Sequence, residues 1–129
     1  MSDDSLSWFR YAFENLAVAR LAFEAGYYNA CLQNVQQSIE KYFKAMLDER
    51  GMGIEKTHNI GHLQQKLTSS GFSTILNDDE CDLLDSIYIP SKYPTGNALP
   101  DFIPDQSVCE TCLAMGEKVK SAFHERNKE

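Results

Sequence analysis

The chain has 129 residues and a net charge of −7, with 43% apolar and 11% aromatic residues. That apolar content excludes a disordered chain and fits a single domain over residues 1–129 with room for a core. The acidic balance excludes nucleic-acid binding by general electrostatics, so any contact with nucleotide or RNA needs a local basic patch.

The first expected helix runs from about Asp4 to Ala25. Asp3, Asp4 and Ser5 supply capping oxygens and favourable negative charge at its start. Phe9, Ala12, Phe13, Leu16, Ala19 and Phe23 recur at steps of three and four and predict its buried stripe. Trp8 and Tyr11 fall off that stripe and are candidates for an exposed dimer patch. Arg10 and Arg20 lie near its edges, where rim ion pairs are the expectation. Gly26 closes the helix, and so short a turn predicts an antiparallel hairpin with the next one.

The second helix starts at Tyr27 or Tyr28. Tyr28, Leu32, Val35, Ile39, Tyr42, Phe43 and Met46 share one face. The opposite, polar face carries Gln33, Asn34, Gln37, Glu40, Lys41, Lys44 and Asp48, with Glu40 and Lys44 as an i,i+4 pair. Gly51 and Gly53 end it. A polar linker with Lys56, Thr57 and His58 leads into a short helix, about Asn59 to Ser70, ended by Gly71. Asn77 and Glu80 have the spacing of a capping box and open a fourth helix, which Pro90 is expected to stop.

Residues 89–104, IPSKYPTGNALPDFIP, hold all four prolines. They exclude regular helix and central strand and predict an ordered crossing loop. The last helix starts near Asp105, with Ser107 and Glu110 at capping-box spacing and Val108, Cys112, Met115, Val119 and Ala122 as its stripe. The polar tail HERNKE is expected to fray. The expected fold is all-α: an up-and-down four-helix bundle with an additional short helix and a proline-rich crossing loop. No stretch of roughly 18 apolar residues argues for a transmembrane helix. The start MSDDSLSWF lacks the basic and apolar regions of a signal peptide, so a cytoplasmic protein is expected.

Two segments carry a resemblance. QQSIEKYFKAMLDERG followed by KTHNIGHL, and then SKYP at Ser91–Pro94, resemble the HEPN domain family. The shared pattern is a Gln-rich helix entering an apolar E-K-Y-x-K-A-x-L segment, a glycine turn, and K-T-H-N before a short helix. The resemblance spans roughly two thirds of the chain and implies the helical bundle. It also implies a homodimer and an accessory role beside a nucleotidyltransferase-type partner, or nucleotide binding. Ribonucleases of this family resemble a metal-free design with an Arg followed, after four to six residues, by a His. Here the only Arg just ahead of a His is Arg50, with seven residues before His58, and His124 precedes Arg126. A ribonuclease toxin with a degenerate motif is therefore the alternative reading, and a structural dimerisation domain is a third.

The candidate ligand-binding residues are Lys41, Lys44, Lys56, His58, Lys92 and Tyr93. Each lysine has the plain alternative of a solvated helix or loop charge. The start of the third helix, at Thr57–Asn59, offers unpaired amides to an anion, with Lys56 and His58 beside it. No phosphate-binding glycine loop is present, and no cofactor is expected. His58 and His62 have i,i+4 spacing, which suits a metal. HNIGH lacks the glutamate of a zinc-protease helix, however, and structural polar contacts are the alternative. Cys109 and Cys112 form a C-x-x-C without a matching second pair, and with Cys31 and Cys81 they are expected to be buried reduced thiols. The carboxylates at Asp78–Asp79 and Asp82–Asp85 are expected to face water and offset a helix dipole.

Overall fold

The computed structural model describes residues 1–92 and 104–126, with side chains through residue 88 and from residue 104. Five helices make up the described residues: α1 Asp3–Glu24, α2 Tyr28–Glu49, α3 Ile60–Ser69, α4 Asp78–Lys92 and α5 Gln106–Arg126. No strand occurs among them. The proline segment at 93–103 and residues 127–129 lie outside the described residues, so the crossing loop and the end of the tail do too.

Ser2 caps α1, its Oγ accepting from Ser5 N at 3.0 Å, one position ahead of the acidic pair expected to do so. The buried face of α1 is Ser5, Ala12, Leu16, Ala19 and Ala22. Small side chains let α1 lie close on α2, and Ser38 Oγ donates to Ala12 O at 2.7 Å across the seam. This corrects the expected stripe. Phe13 sits at its edge, 47% exposed under Lys120 Nζ, while Phe9 and Phe23 are only partly buried. Gly26, at φ +81°, makes the turn into α2.

Contacts fix the helix directions. Ser5 meets Asp48, Ala12 meets Ser38 and Asn15 meets Asn34, so one number falls as the other rises and α1 and α2 are antiparallel. Cys109 Sγ donates to Tyr28 O, and Phe123 packs on Tyr42, so α2 and α5 run parallel. That is the up-and-down arrangement.

Helix α2 touches all four other helices. Its buried residues include Gln36, Ser38, Glu40 and Lys44 besides the apolar set. The expectation of a solvated polar face on α2 is therefore corrected at Glu40 and Lys44. A helix touched by four others keeps only a narrow, partly exposed polar side, and Glu40 and Lys44 are buried by pairing with each other.

The remaining helix starts follow from local chemistry. Asn59 Oδ1 accepts from His62 N at 2.7 Å and caps α3. Asn77 and Glu80 form the reciprocal box, Glu80 N to Asn77 Oδ1 at 2.8 Å and Asn77 N to Glu80 Oε1 at 3.0 Å. The backbone of α4 continues through Pro90 to Lys92, two residues further than expected. A proline removes a single N–H from the helical ladder, and the residues after it still donate. The cap of α5 is Asp105, whose Oδ1 accepts from Val108 N at 2.9 Å, rather than Ser107. One apolar cluster draws on all five helices, with Tyr42, Phe43, Ile60, Leu84 and Phe123 among its largest members.

Candidate functional site

Gln36, Glu40 and Lys44 follow one another at i, i+4 and i+8, which stacks them in a single row on α2. Glu40 is 2% exposed and Lys44 4%. Glu40 Oε2 accepts from Lys44 Nζ at 3.0 Å, and the Trp8 ring of α1 covers that ammonium with its centroid 5.3 Å away. Trp8 is thus half-buried as a lid on Lys44, which corrects its expected place in an exposed patch.

The other carboxylate oxygen, Oε1, lies 3.0 Å from His58 Nδ1. Gln36 Nε2 donates to His58 O at 3.3 Å, so the linker after α2 is pinned at that residue. The imidazole also stacks on Tyr88 of α4, with centroids 4.7 Å apart and planes 16° from parallel. Two helices, α2 and α4, therefore hold one ring. A carboxylate only accepts, so the proton of neutral His58 sits on Nδ1 and the lone pair on Nε2. Nε2 has no partner among the described residues, and the side chain is 50% exposed. The arrangement is a histidine of fixed tautomer and orientation, presenting one nitrogen to solvent. That nitrogen can accept a proton or, once charged, bind an anion.

The amides at the start of α3 are already used. Ile60 N and Gly61 N donate to the Asp85 carboxylate at 2.6 and 3.2 Å, His62 N donates to Asn59 Oδ1, and Leu63 N donates to Asn59 O at 3.2 Å. The anion site expected there is filled by a carboxylate from α4. Burial pushes the Asp85 carboxyl up, against the lowering effect of the two amides. Asp85 therefore does not simply face water as expected. Beside it, a shallow cleft of about 420 Å³ is lined by Asn59, His62, Asp78, Asp82 and Asp85, a sign of charge that repels phosphate.

The two histidines part company. His62 Nε2 lies 2.6 Å from Glu55 Oε2, and Lys66 Nζ holds the other oxygen of Glu55 at 2.8 Å. Lys66 first, then His62, draws the Glu55 carboxyl below the usual range. His58 and His62 thus serve different carboxylates. Among the described residues no three His, Cys, Asp or Glu side chains are grouped to hold a metal.

Lys41 turns toward α1, where its Nζ donates to Asn15 Oδ1 at 2.7 Å and lies 5.8 Å from the Tyr11 ring centroid. Burial lowers its pKa. Lys56 is exposed, two residues from His58 and without a partner among the described residues. Lys92 ends α4, but its side chain and Tyr93 lie outside the described residues. Of the expected set, Glu40 brings His58 and Lys44 together, and Lys56 flanks them.

Arg50 does not approach His58. Its guanidinium stacks on Phe72 at 4.3 Å and donates to Ser70 O, and Arg126 stacks on the same ring at 4.0 Å. His124 packs edge-on against Phe9. All four cysteines are buried and free. Burial pushes the Cys31 and Cys112 thiols up to about 12 and Cys81 to about 11, so they stay protonated at neutral pH.

Sequence reasoning missed Glu40 as the pivot, along with Gln36, Tyr88 and Asp85. One signal was present for the first two: polar residues at i, i+4 and i+8 within an apolar helix. Tyr88 and Asp85 join the site only through the placement of α4.

No curated protein matches this chain. The crystal structure of TT1696 from Thermus thermophilus is similar, with 23% identity, 96% of this chain and 98% of that one covered, and a TM-score of 0.75. ST0689, an archaeal HEPN homologue, is similar at 23% identity, with 95% of this chain and 96% of that one covered and a TM-score of 0.69. The sequence itself matches the HEPN domain over residues 5–126. The chain belongs to the HEPN domain family.

Proposed function

We propose that this chain is a cytoplasmic HEPN-type binding module without chemistry of its own, and that His58 is the group with which it reads its ligand. The proposed ligand is a nucleotide or the phosphate of a single-stranded nucleic acid, and the proposed setting is beside a nucleotidyltransferase-type partner. The observation that carries the reading is the fixed, half-exposed His58 ring, with Nδ1 on buried Glu40 and Nε2 unpartnered among the described residues. Lys56 adds a free positive charge close to it in the chain. Burying an ion pair such as Glu40–Lys44 is costly, and orienting a ligand-facing group is a reason to keep one.

The test is a titration of ATP, GTP and short RNA at low salt, followed by the His58 ring resonances and by thermal unfolding. A ligand at a hundredfold excess over its Kd stabilises the fold by about 2.7 kcal/mol. His58→Ala and Lys56→Ala are expected to abolish or weaken that shift. Binding that survives His58→Ala, or no ligand that moves the His58 resonances, refutes the reading. RNA integrity is followed in the same samples. Cleavage that depends on His58 would replace the binding module by a metal-independent ribonuclease.

A further inference from the structure

The ends of α2 and α5 meet the turn after α3 at one ring. The chain leaves α3 through Gly71, at φ +105°, and Phe72 N donates to Leu67 O at 3.1 Å, which fixes the backbone at Phe72. Phe72 is 8% exposed. Arg50, just past α2, and Arg126, in the last turn of α5, bring their guanidinium carbons to 4.3 and 4.0 Å from its centroid. Beside the ring lies an open cavity of about 200 Å³. Met46, Phe72, Ile75 and Ala122 form its apolar part, and Glu125 and Arg126 its charged rim.

One cation at a helix C-terminus is ordinary, because it offsets the dipole there. Two on a single ring repel, since both lie so near one centroid that they are closer than a Debye length of about 10 Å. Elsewhere in this acidic chain Arg20, Lys44, Lys66 and Lys118 each meet a carboxylate. Arg50 and Arg126 meet none among the described residues. Arg50 Nη1 donates to Ser70 O, and the other donors of both guanidiniums have no acceptor among the described residues. An anion placed here relieves the repulsion and uses those donors.

The rim says which anion. Two guanidiniums and the Glu125 carboxylate leave one net positive charge, which a monoanion matches and a phosphate dianion exceeds. The planar fork of Arg126 suits the two oxygens of a carboxylate. The apolar part says what the carboxylate is attached to. An apolar cavity of about 150 Å³ holds a benzene ring, so this one takes a phenyl or branched alkyl group. It lies below the roughly 300–1,000 Å³ of pockets that enclose larger ligands, nucleotides among them.

We propose that this cavity binds a carboxylate carrying a compact apolar group, with the carboxylate on Arg126, Arg50 adding charge beside it, and the apolar group against Met46, Phe72 and Ile75. A free arylalkyl or branched-alkyl acid presents that chemistry, and so does the last residue of a peptide with an apolar side chain. His58 is held by Glu40 and Tyr88, neither of which lines the cavity, so the proposal does not rest on the reading of His58.

The test is a titration of the full chain with phenylacetate, followed by the methyl resonances of Ile75 and Ala122 and the Nε–H of Arg126. Saturable shifts are expected with phenylacetate. Acetate lacks the apolar group and benzyl alcohol the charge, and both are expected to bind far more weakly, as is inorganic phosphate. Arg126→Gln should weaken phenylacetate by about tenfold or more and Arg50→Gln by less, with circular dichroism confirming each fold. A short peptide ending in Phe and its C-terminal amide separate the two sources. A peptide that binds more tightly than phenylacetate and is lost on amidation assigns the site to a chain terminus, and the converse assigns it to a free acid. No saturable shift at millimolar phenylacetate overturns the proposal. So does affinity unchanged in Arg126→Gln, or equal binding of acetate or benzyl alcohol.

Discussion

Glu40→Ala is the perturbation with the largest expected consequence for its size. The carboxylate serves two partners, Lys44 Nζ on Oε2 and His58 Nδ1 on Oε1, each at 3.0 Å. Its removal leaves the Lys44 ammonium 4% exposed, facing only the Trp8 ring. Breaking a buried pair from one side costs about 3–5 kcal/mol, and the Trp8 contact, already made in the wild type, adds no compensation. Total stability for such a chain is about 5–15 kcal/mol, so the loss is a large fraction of it. At about 4 °C per kcal/mol for this length, Tm should fall by roughly 12–20 °C.

Lys44→Met is the contrast. It leaves Glu40 with Gln36 Nε2 at 3.5 Å and His58 Nδ1 at 3.0 Å on its Oε1. Methionine also replaces most of the aliphatic stem. Its cost should be clearly smaller, about 1–3 kcal/mol. Glu40→Leu combined with Lys44→Met removes both charges and should recover most of the loss of Glu40→Ala. Urea unfolding followed by circular dichroism gives all the values. A Glu40→Ala cost below about 1 kcal/mol, the level of a solvent-exposed pair, would refute the argument. Equal costs for Glu40→Ala and Lys44→Met would do the same.

Gly116→Ala places a Cβ 2.8 Å from Leu16 Cδ1 and 3.6 Å from Val35 Cγ1, where α5 crosses the α1–α2 seam. It should cost about 1–3 kcal/mol in urea unfolding, and Leu16→Ala in the same chain should relieve part of the strain. Tyr42 Oη is buried with no hydrogen-bond partner among the described residues, so Tyr42→Phe should leave stability unchanged or raise it by up to about 1–3 kcal/mol. A marked loss would reveal a partner for that hydroxyl. The hydroxyls of Ser5 and then Ser2 hold the Asp48 carboxyl below its usual value. A depressed carboxyl stabilises the fold above its unfolded pKa of about 4, and that contribution is lost as pH falls through the folded value. The stability gap between wild type and Ser5→Ala should therefore be full at neutral pH and close on acidification below about pH 4. A gap that stays constant to about pH 2 would show that Asp48 is not its source.

Local signals in the sequence determined the helices themselves. The 3.6-residue repeat on α2, the glycine at φ +81° after α1 and the reciprocal Asn77–Glu80 cap each act within a few residues, so the chain carries them whatever packs nearby. The E-K-Y-x-K-A and K-T-H-N segments likewise carried the family. Only the tertiary structure decided which polar residues are inside. Glu40 and Lys44 read as a wet face because periodicity cannot show that four helices surround α2. Phe13 read as core because it falls at helical spacing from Phe9 and Leu16, whereas close approach of two helix backbones selects alanine. The start of α3 read as an open anion site, and Asp85, 25 residues further on, closes it. His58 acquired its orientation in the same way, from Glu40 on one helix and Tyr88 on another. Pairing of buried charges is a property of distance in space, and a sequence records only distance along the chain.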